Sequence, residues 1–286
     1  MSGAMDEPLP ERGKRPAQGR SKTLRTALGG LFAFRGRSSP TVEVGVSVLA
    51  AAIVLGLWEA ASRAGWIAPQ FLPSPSAVLG ALWTMTTEQS LGYHIAVSTG
   101  RVWAAFLLAA AMAIPIGILM SSYRIVGAAL EPMIDFIRYL PVPALVPLSI
   151  IWFGVGETTK IFLLWLGTFF QLVLLVADDM RRVPHEYVEV ARTVGANSRQ
   201  LMWDVALRSM GPTLLDNLRI TLGWCWTYLI IAEIVAASSG IGYVIWQARR
   251  FVKTPEVMAG VVVIGLIGLV TDQLLRLLHR RFFRYL

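Results

Sequence analysis

The sequence predicts an all-α, polytopic membrane protein of about six transmembrane helices, and three observations predict it. Apolar residues make up 55% of the 286 and the mean hydropathy is +0.58, more apolar surface than a soluble chain of this length usually buries. They gather into six long runs, each near the roughly 20 residues that cross a hydrocarbon core of about 30 Å. The basic residues concentrate on alternate connections, which the positive-inside rule reads as a chain with both termini in the cytoplasm. That distribution also explains the formal charge of +8 and the pI near 10.1 without nucleic acid.

Residues 1–43 carry Arg12, Lys14, Arg15, Arg20, Lys22, Arg25, Arg35 and Arg37 amid Gly, Pro and Ser, which reads as a disordered basic cytoplasmic tail. The transmembrane domain is expected over 44–286. Its first span runs from Val44 to Ala61, with Glu59 at the interface. Trp66 to Pro75 holds too many prolines for a helix and sets aromatics at the outer interface. Ser76 to Glu88 fits an amphipathic surface helix. The second span is Val102 to Met120, with Arg101 expected to snorkel to the outer interface. After a cytoplasmic turn at Tyr123 and Arg124, the third run, Val126 to Phe153, is over-long. Its Glu131, Asp135 and Arg138 share one helical face, and Pro141, Pro143 and Pro147 bend it. That charged face points into protein or water, or else rides at the cytoplasmic interface.

The fourth span, Ile161 to Ala177, delivers the chain to a polar interruption over 181–212, RRVPHEYVEVARTVGANSRQLMWDVALRSMGP. Pro184 suits the first turn of a short helix, and Gly195 suits the left-handed residue just past its end. Tyr187, Val190, Ala191 and Val194 form one apolar stripe, leaving Glu186, Glu189 and Arg192 on the polar side. Ala191 and Gly195 are small, so another protein could approach this backbone closely. Asn197 with Gln200 reads as a second helix start, and Pro212 re-initiates the chain for the next run.

The fifth span, Leu214 to Ala237, contains Arg219, Trp224, Trp226, Tyr228 and Glu233. Gly223, Thr227 and Ile231 recur at four-residue spacing, a partly small face suited to close helix packing. Its aromatics are packing side chains or ligand contacts. Glu233, deep in an apolar helix, is a functional candidate, expected to be hydrogen-bonded, protonated or paired with an arginine of a neighbouring helix. Trp224, Thr227, Tyr228 and Glu233 are the pore candidates. Ser238 to Glu256 reads as an outer loop whose Arg249, Arg250 and Lys253 run against the charge trend, a candidate docking patch for a partner on the outer face, a draw for anions, or a solvated cluster. Val257 to Leu275 is the sixth span, followed by Arg276, Arg280, Arg281 and Arg284.

Glu189-Val-Ala191, then Gly195, then Val205-Ala-Leu207 nine residues on, resembles the EAA loop of ABC-importer permeases, whose pattern is Glu-Ala-Ala, three residues, Gly, nine residues, Ile-x-Leu-Pro. Val190 replaces the first Ala and Arg208 stands where Pro is usual, with Pro212 four residues later. Phe71-Leu-Pro-Ser-Pro75 and the segment 138–161, RYLPVPALVPLSIIWFGVGETTKI, resemble the nitrate, sulfonate, taurine and bicarbonate branch of that family. The resemblance implies a type I (MetI-like) permease fold in a bacterial inner membrane and a homodimer with the pore at its interface. It also implies two ATP-binding subunits docked on coupling helices, ATP and Mg on those subunits, and an extracytoplasmic solute-binding protein. On these residues it assigns coupling to Glu186, Glu189, Val190, Ala191, Gly195 and Pro212.

The chain has no GxxxxGK loop, so ATP hydrolysis is expected in a partner, and no nucleophile with a base at motif spacing. Cys225 is the single cysteine, and His94, His185 and His279 lack ligand spacing, so neither a metal nor a cofactor is expected on this chain. A secondary transporter would show paired interrupted helices in two related halves, and a membrane enzyme would have only Glu131, Asp135, Arg138 and Glu233 as material. The solute expected from the resemblance is a small oxyanion or sulfonate, with neutral nitrogenous compounds and thiamine precursors as the alternative.

Overall fold

The computed structural model describes residues 39–236 and 238–283, so the basic tail lies almost wholly outside the described residues, as does Arg284. Among the described residues every regular element is helical. The chain divides into two units, residues 1–57 and 58–286. The first contributes the start of α1 (Pro40–Arg63); the second contains the rest.

In the second unit, α2 (Pro75–Glu88) starts where Ser74 accepts the Ala77 N–H at 3.2 Å and Pro75 occupies the first turn, a position that has no use for its missing N–H. It buries Val78 and Met85. The remaining helices are α3 (Leu91–Ser122), α4 (Arg124–Ile137), α5 (Val142–Phe153), α6 (Glu157–Arg181), α7 (His185–Thr193), α8 (Ser198–Gln200), α9 (Leu207–Ala236), α10 (Ile241–Arg250) and α11 (Thr254–Phe282), with a π-helical turn at Leu201–Ala206 joining α8 to α9.

Two close approaches fix the bundle's centre. In lipid, burying a leucine against another helix gains little over burying it in acyl chains, so helix pairs are held by van der Waals contact between surfaces that come near. Gly117 of α3 lies so close to α6 that a Cβ there would stand 2.7 Å from the Val173 carbonyl oxygen. Gly167 of α6 faces the Tyr228 ring of α9, where a Cβ would stand 2.7 Å from Cδ2. Around these contacts α3 buries Ala105, Ala109 and Ala113, α6 buries Leu164, Leu172 and Val176, and α9 buries Leu222, Cys225 and Leu229. The outward surface keeps large apolar groups such as Leu107, Leu266, Leu269 and Leu277 exposed, as a lipid solvent requires.

The structure changes several expectations. Among the described residues four helices are long and apolar enough to cross a membrane: α1 from Thr41, α3, α6 and α11. A fifth span results if the bent pair α4 and α5 counts as one. The remaining expected span, the fifth, is α9, which has 30 residues but carries Asp216, Arg219 and Glu233. The third run is two helices bent by 98°. Pro141 caps α5 in extended backbone (φ −69, ψ 113), and the residue before a proline is pushed out of the α region, so the helix cannot run through 138–141. The outer connection expected over Ser238 to Glu256 is largely the helix α10, which buries Ile241, Val244, Ile245 and Ala248. Pro212 lies inside α9 and does not start it, because the π-helical turn already opens the hydrogen-bond ladder before it. The small face of Gly223 and Thr227 is open among the described residues: nothing lies within 4 Å of a Cβ built on Gly223.

Candidate functional site

Residues 181–212 place a short helix at one end of α6 and α9. Pro184 is the N-cap of α7, one position earlier than expected, and Gly195 adopts the left-handed φ of +84° two residues past its end. There the Gly195 N–H donates to the Arg192 carbonyl at 2.9 Å and the Ala196 N–H to the Ala191 carbonyl at 2.9 Å, closing the last turn. Asn197 and Gln200 form a reciprocal capping box, both bonds 2.9 Å. No residue of α7 is buried. Tyr187, Val190 and Val194 stand 54%, 66% and 81% exposed, so the apolar stripe has no covering surface within the described chain. Ala191 is half-buried, Glu186 and Glu189 are exposed, and Pro212 is half-buried. A hollow of about 280 Å³ lies beside the stripe, walled by Val194, Gly195, Ala196, Gln200, Asp204 and Val205.

Three of the four pore candidates meet. Trp224, Thr227 and Tyr228 of α9 border a cavity of about 230 Å³ together with Arg138, from the break between α4 and α5, and Gln171 of α6. Thr227 donates its hydroxyl to the Trp224 carbonyl at 2.7 Å.

Glu233 lies elsewhere, in a buried ionic cluster at the other end of α9. Arg101 is 3% exposed and uses all five of its donors. Nε and Nη2 fork onto Glu157 at 2.5 and 2.6 Å, Nη1 donates to Glu233 at 2.6 Å and to the Ser239 carbonyl at 2.7 Å, and Nη2 reaches the Ser239 hydroxyl at 3.0 Å. Glu233 is 0% exposed and also accepts from the Ser98 hydroxyl at 2.7 Å and the Gly242 N–H at 2.7 Å. Ser98 in turn accepts the Ile241 N–H at 2.8 Å, His94 Nδ1 accepts the Gly240 N–H at 3.0 Å, and Lys160 pairs with Glu157 at 2.8 Å. Gly240 has φ +110°, and a Cβ there would collide with the Glu233 carboxylate. The cluster balances two cations against two carboxylates and ties α3, α6, α9 and α10 together. Arg101 therefore does not snorkel to an interface: a fully buried carboxylate needs a hydrogen-bonded counter-charge, and the guanidinium supplies it.

The basic patch is partly occupied. The Arg249 guanidinium lies 5.1 Å from the Trp246 ring centroid, and Lys253 pairs with Glu256 at 2.9 Å. Arg249, Arg250 and Lys253 are all exposed. Of the charged face on the third run, Arg138 meets Asp135 at 3.1 Å, but Glu131 turns to Arg181 of α6, at 2.6 Å.

Sequence reasoning left Arg101, Ser98, Glu157 and Lys160 out of the site. One signal pointed to Arg101: a glutamate in an apolar helix demands a cation, and Arg101 is the arginine at the head of the neighbouring span. Gln171 carried no signal, because a single amide in an apolar run is common.

Residues 113–284 match the family described as binding-protein-dependent transport system inner membrane component. The taurine transport system permease protein TauC of Escherichia coli is 35% identical over 244 residues, covering 84% of this chain and 89% of that protein. An aliphatic sulfonates transport permease protein, SsuC, of the same organism is 34% identical over 232 residues, 81% of this chain and 88% of the relative. Among solved structures, an inward-facing conformation of the MetNI methionine ABC transporter aligns with a TM-score of 0.55 at 19% identity, over 65% of this chain and 94% of the other, a likeness of fold.

Proposed function

We propose a function from one premise: this chain belongs to the family of binding-protein-dependent transport system inner membrane components. As a multi-pass inner-membrane permease subunit of an ABC importer, it needs an energy source outside itself. We assign that to two ATP-binding subunits that hold ATP and Mg and seat on α7 of each copy in a homodimer, with both termini cytoplasmic. The observation that carries this is the open stripe of Tyr187, Val190 and Val194, an apolar surface on a helix of about 14 Å that is too short to enter lipid. A stripe with no partner in its own chain, at the position of the EAA pattern, suits a groove on another protein.

In this reading, closure of the ATP-binding subunits draws the two α7 helices together, and α9, continuous with the coupling segment through the π-helical turn, carries the movement inward. The open face of α9 at Ile220, Gly223, Trp224 and Thr227 borders the pore or the second copy. A solute-binding protein delivers the solute at the opposite end, where Arg249, Arg250 and Lys253 lie. The solute is a small oxyanion or sulfonate such as taurine, an alkanesulfonate, nitrate or bicarbonate, supported by the taurine and sulfonate relatives.

Proteoliposomes holding the permease, its co-purified ATP-binding subunit and the binding protein test this. ATP-dependent taurine or nitrate uptake that vanishes without the ATP-binding subunit supports it. Uptake driven by an ion gradient alone would sink it. Thiol labelling at 224, 227, 228 and 231, with Cys225 removed first, tests the pore assignment; no labelling there while another helix reacts would place the pore elsewhere.

A further inference from the structure

We propose that the cavity between α6, α9 and the break of α4 and α5 is a binding site within the permease for the anionic head of the solute, with Arg138 as its recognising cation. The inference deepens the permease reading and rests on it for its purpose. Of the residues lining the cavity, Arg138 is the one with a charged side chain among the described residues, and none is acidic. Arg138 sits half-buried at the end of α4. Its Nε faces Asp135 Oδ1 at 3.1 Å without the alignment of a hydrogen bond, and its Nη2 donates to the Tyr139 hydroxyl at 3.0 Å. Among the described residues Nη1 has no hydrogen-bond acceptor. Asp135 is outside the cavity lining, so Arg138 is the charged group that borders the space.

The other polar groups suit an oxyanion. Gln171, Tyr228 and Trp224 line the same space and carry an amide, a phenol and an indole N–H, each able to donate to an oxyanion. Leu166 and Phe170 give an apolar wall for a short hydrocarbon tail. About 230 Å³ lies below the roughly 300 Å³ at which pockets begin to hold drug-sized ligands, so the occupant is small. A sulfonate or nitrate head accepts through three oxygens and matches a guanidinium fork. Gly167 lets the Tyr228 ring lie where it does beside this space, because a Cβ there would stand 2.7 Å from its Cδ2.

The test uses the purified full chain in detergent, with methanesulfonate as probe and dimethyl sulfone, its neutral near-isostere, as control, both read by thermal shift at matched ionic strength. Wild type should be stabilised by methanesulfonate and not by dimethyl sulfone. Arg138→Gln should weaken the apparent affinity for methanesulfonate by about tenfold or more, the loss of a charge-assisted hydrogen bond, while Arg138→Lys keeps part of the response. Asp135→Asn breaks the same ion pair and leaves the cavity charge in place, so its response should equal or exceed wild type. No difference between the two probes in wild type, an unchanged response in Arg138→Gln, or an equal loss in Asp135→Asn would each overturn the proposal. The assay needs neither ATP nor a partner, so these outcomes are distinct from failure of ATP-dependent uptake, which tests the permease reading itself.

Discussion

The two ends of α9 are built on opposite terms. At Leu207 the helix begins beside α7, whose apolar stripe lies open and none of whose residues is buried. At Glu233 it ends in a cluster where a 3% exposed arginine satisfies all five donors and a 0% exposed glutamate accepts from a guanidinium, a hydroxyl and a backbone N–H. One end borders spare surface on α7, although Ala206 and Met210 beside its start are buried; the other has no spare hydrogen-bonding capacity on its arginine. The same helix is thus fixed at one end by its own chain and left to be completed at the other. A movement applied at α7 would reach a rod whose far end is clamped to α3, α6 and α10.

Removing the clamp's cation breaks this comparison most severely. Arg101→Met leaves Glu233 buried without a counter-charge, which costs about 3–5 kcal/mol where a buried pair loses one partner. Thermal unfolding in detergent should show it, and Arg101→Met combined with Glu233→Met should recover much of the loss because no lone charge remains. An Arg101→Met protein as stable as wild type would mean that the cluster does not hold α9.

Gly240→Ala tests the same end through the backbone. The residue sits at φ +110° and its new methyl would meet the Glu233 carboxylate, so about 1–3 kcal/mol should be lost. Equal stability of the two proteins would show that the turn between α9 and α10 yields freely.

The basic patch is expected to do less. Changing Arg249, Arg250 and Lys253 together to Ala removes an exposed pair with Glu256 and a contact with Trp246, about 1 kcal/mol in total on the permease itself. If these residues meet an acidic binding protein, the variant's uptake should fall at low ionic strength and approach wild type at high, since salt screens exposed charge. Uptake equal to wild type at low salt would leave the patch without that role.

Much of this was legible in the sequence, and the exceptions share a cause. Hydropathy located the cores of α1, α3, α6 and α11, and Pro, Gly and Asn-x-x-Gln punctuation located α7 and α8, because those signals are local. The demand of Glu233 for an arginine was also legible; its partner was not, since Arg101 is 132 residues away and an arginine at a span's end reads as a snorkelling residue. The break at 138–141 was read as a bend because three prolines in seven residues permit either outcome, and only packing decides. α10 was missed because its buried residues lie in a short segment whose charges read as a loop.

The smallest expected change in the permease's own stability should accompany the greatest loss of coupling. Ala191→Trp adds a large ring to α7 at a half-buried helical position with none of its neighbours buried, so the fold should change by no more than about 0.5 kcal/mol, as for surface substitutions generally. Under the proposed docking, the groove of an ATP-binding subunit would have no such tolerance, because inserting a bulky group into a packed interface forces shifts it cannot absorb. The variant should therefore unfold at the wild-type temperature and fail to co-purify the ATP-binding subunit. Gly195→Trp makes a weaker test alone, since φ +84° strains any side chain there and confounds docking with folding. Ala191→Trp has an ordinary helical backbone and carries no such ambiguity. Normal co-purification with that variant would mean that the stripe on α7 is not the docking surface, and the contrast between the two ends of α9 would then lie within the permease alone.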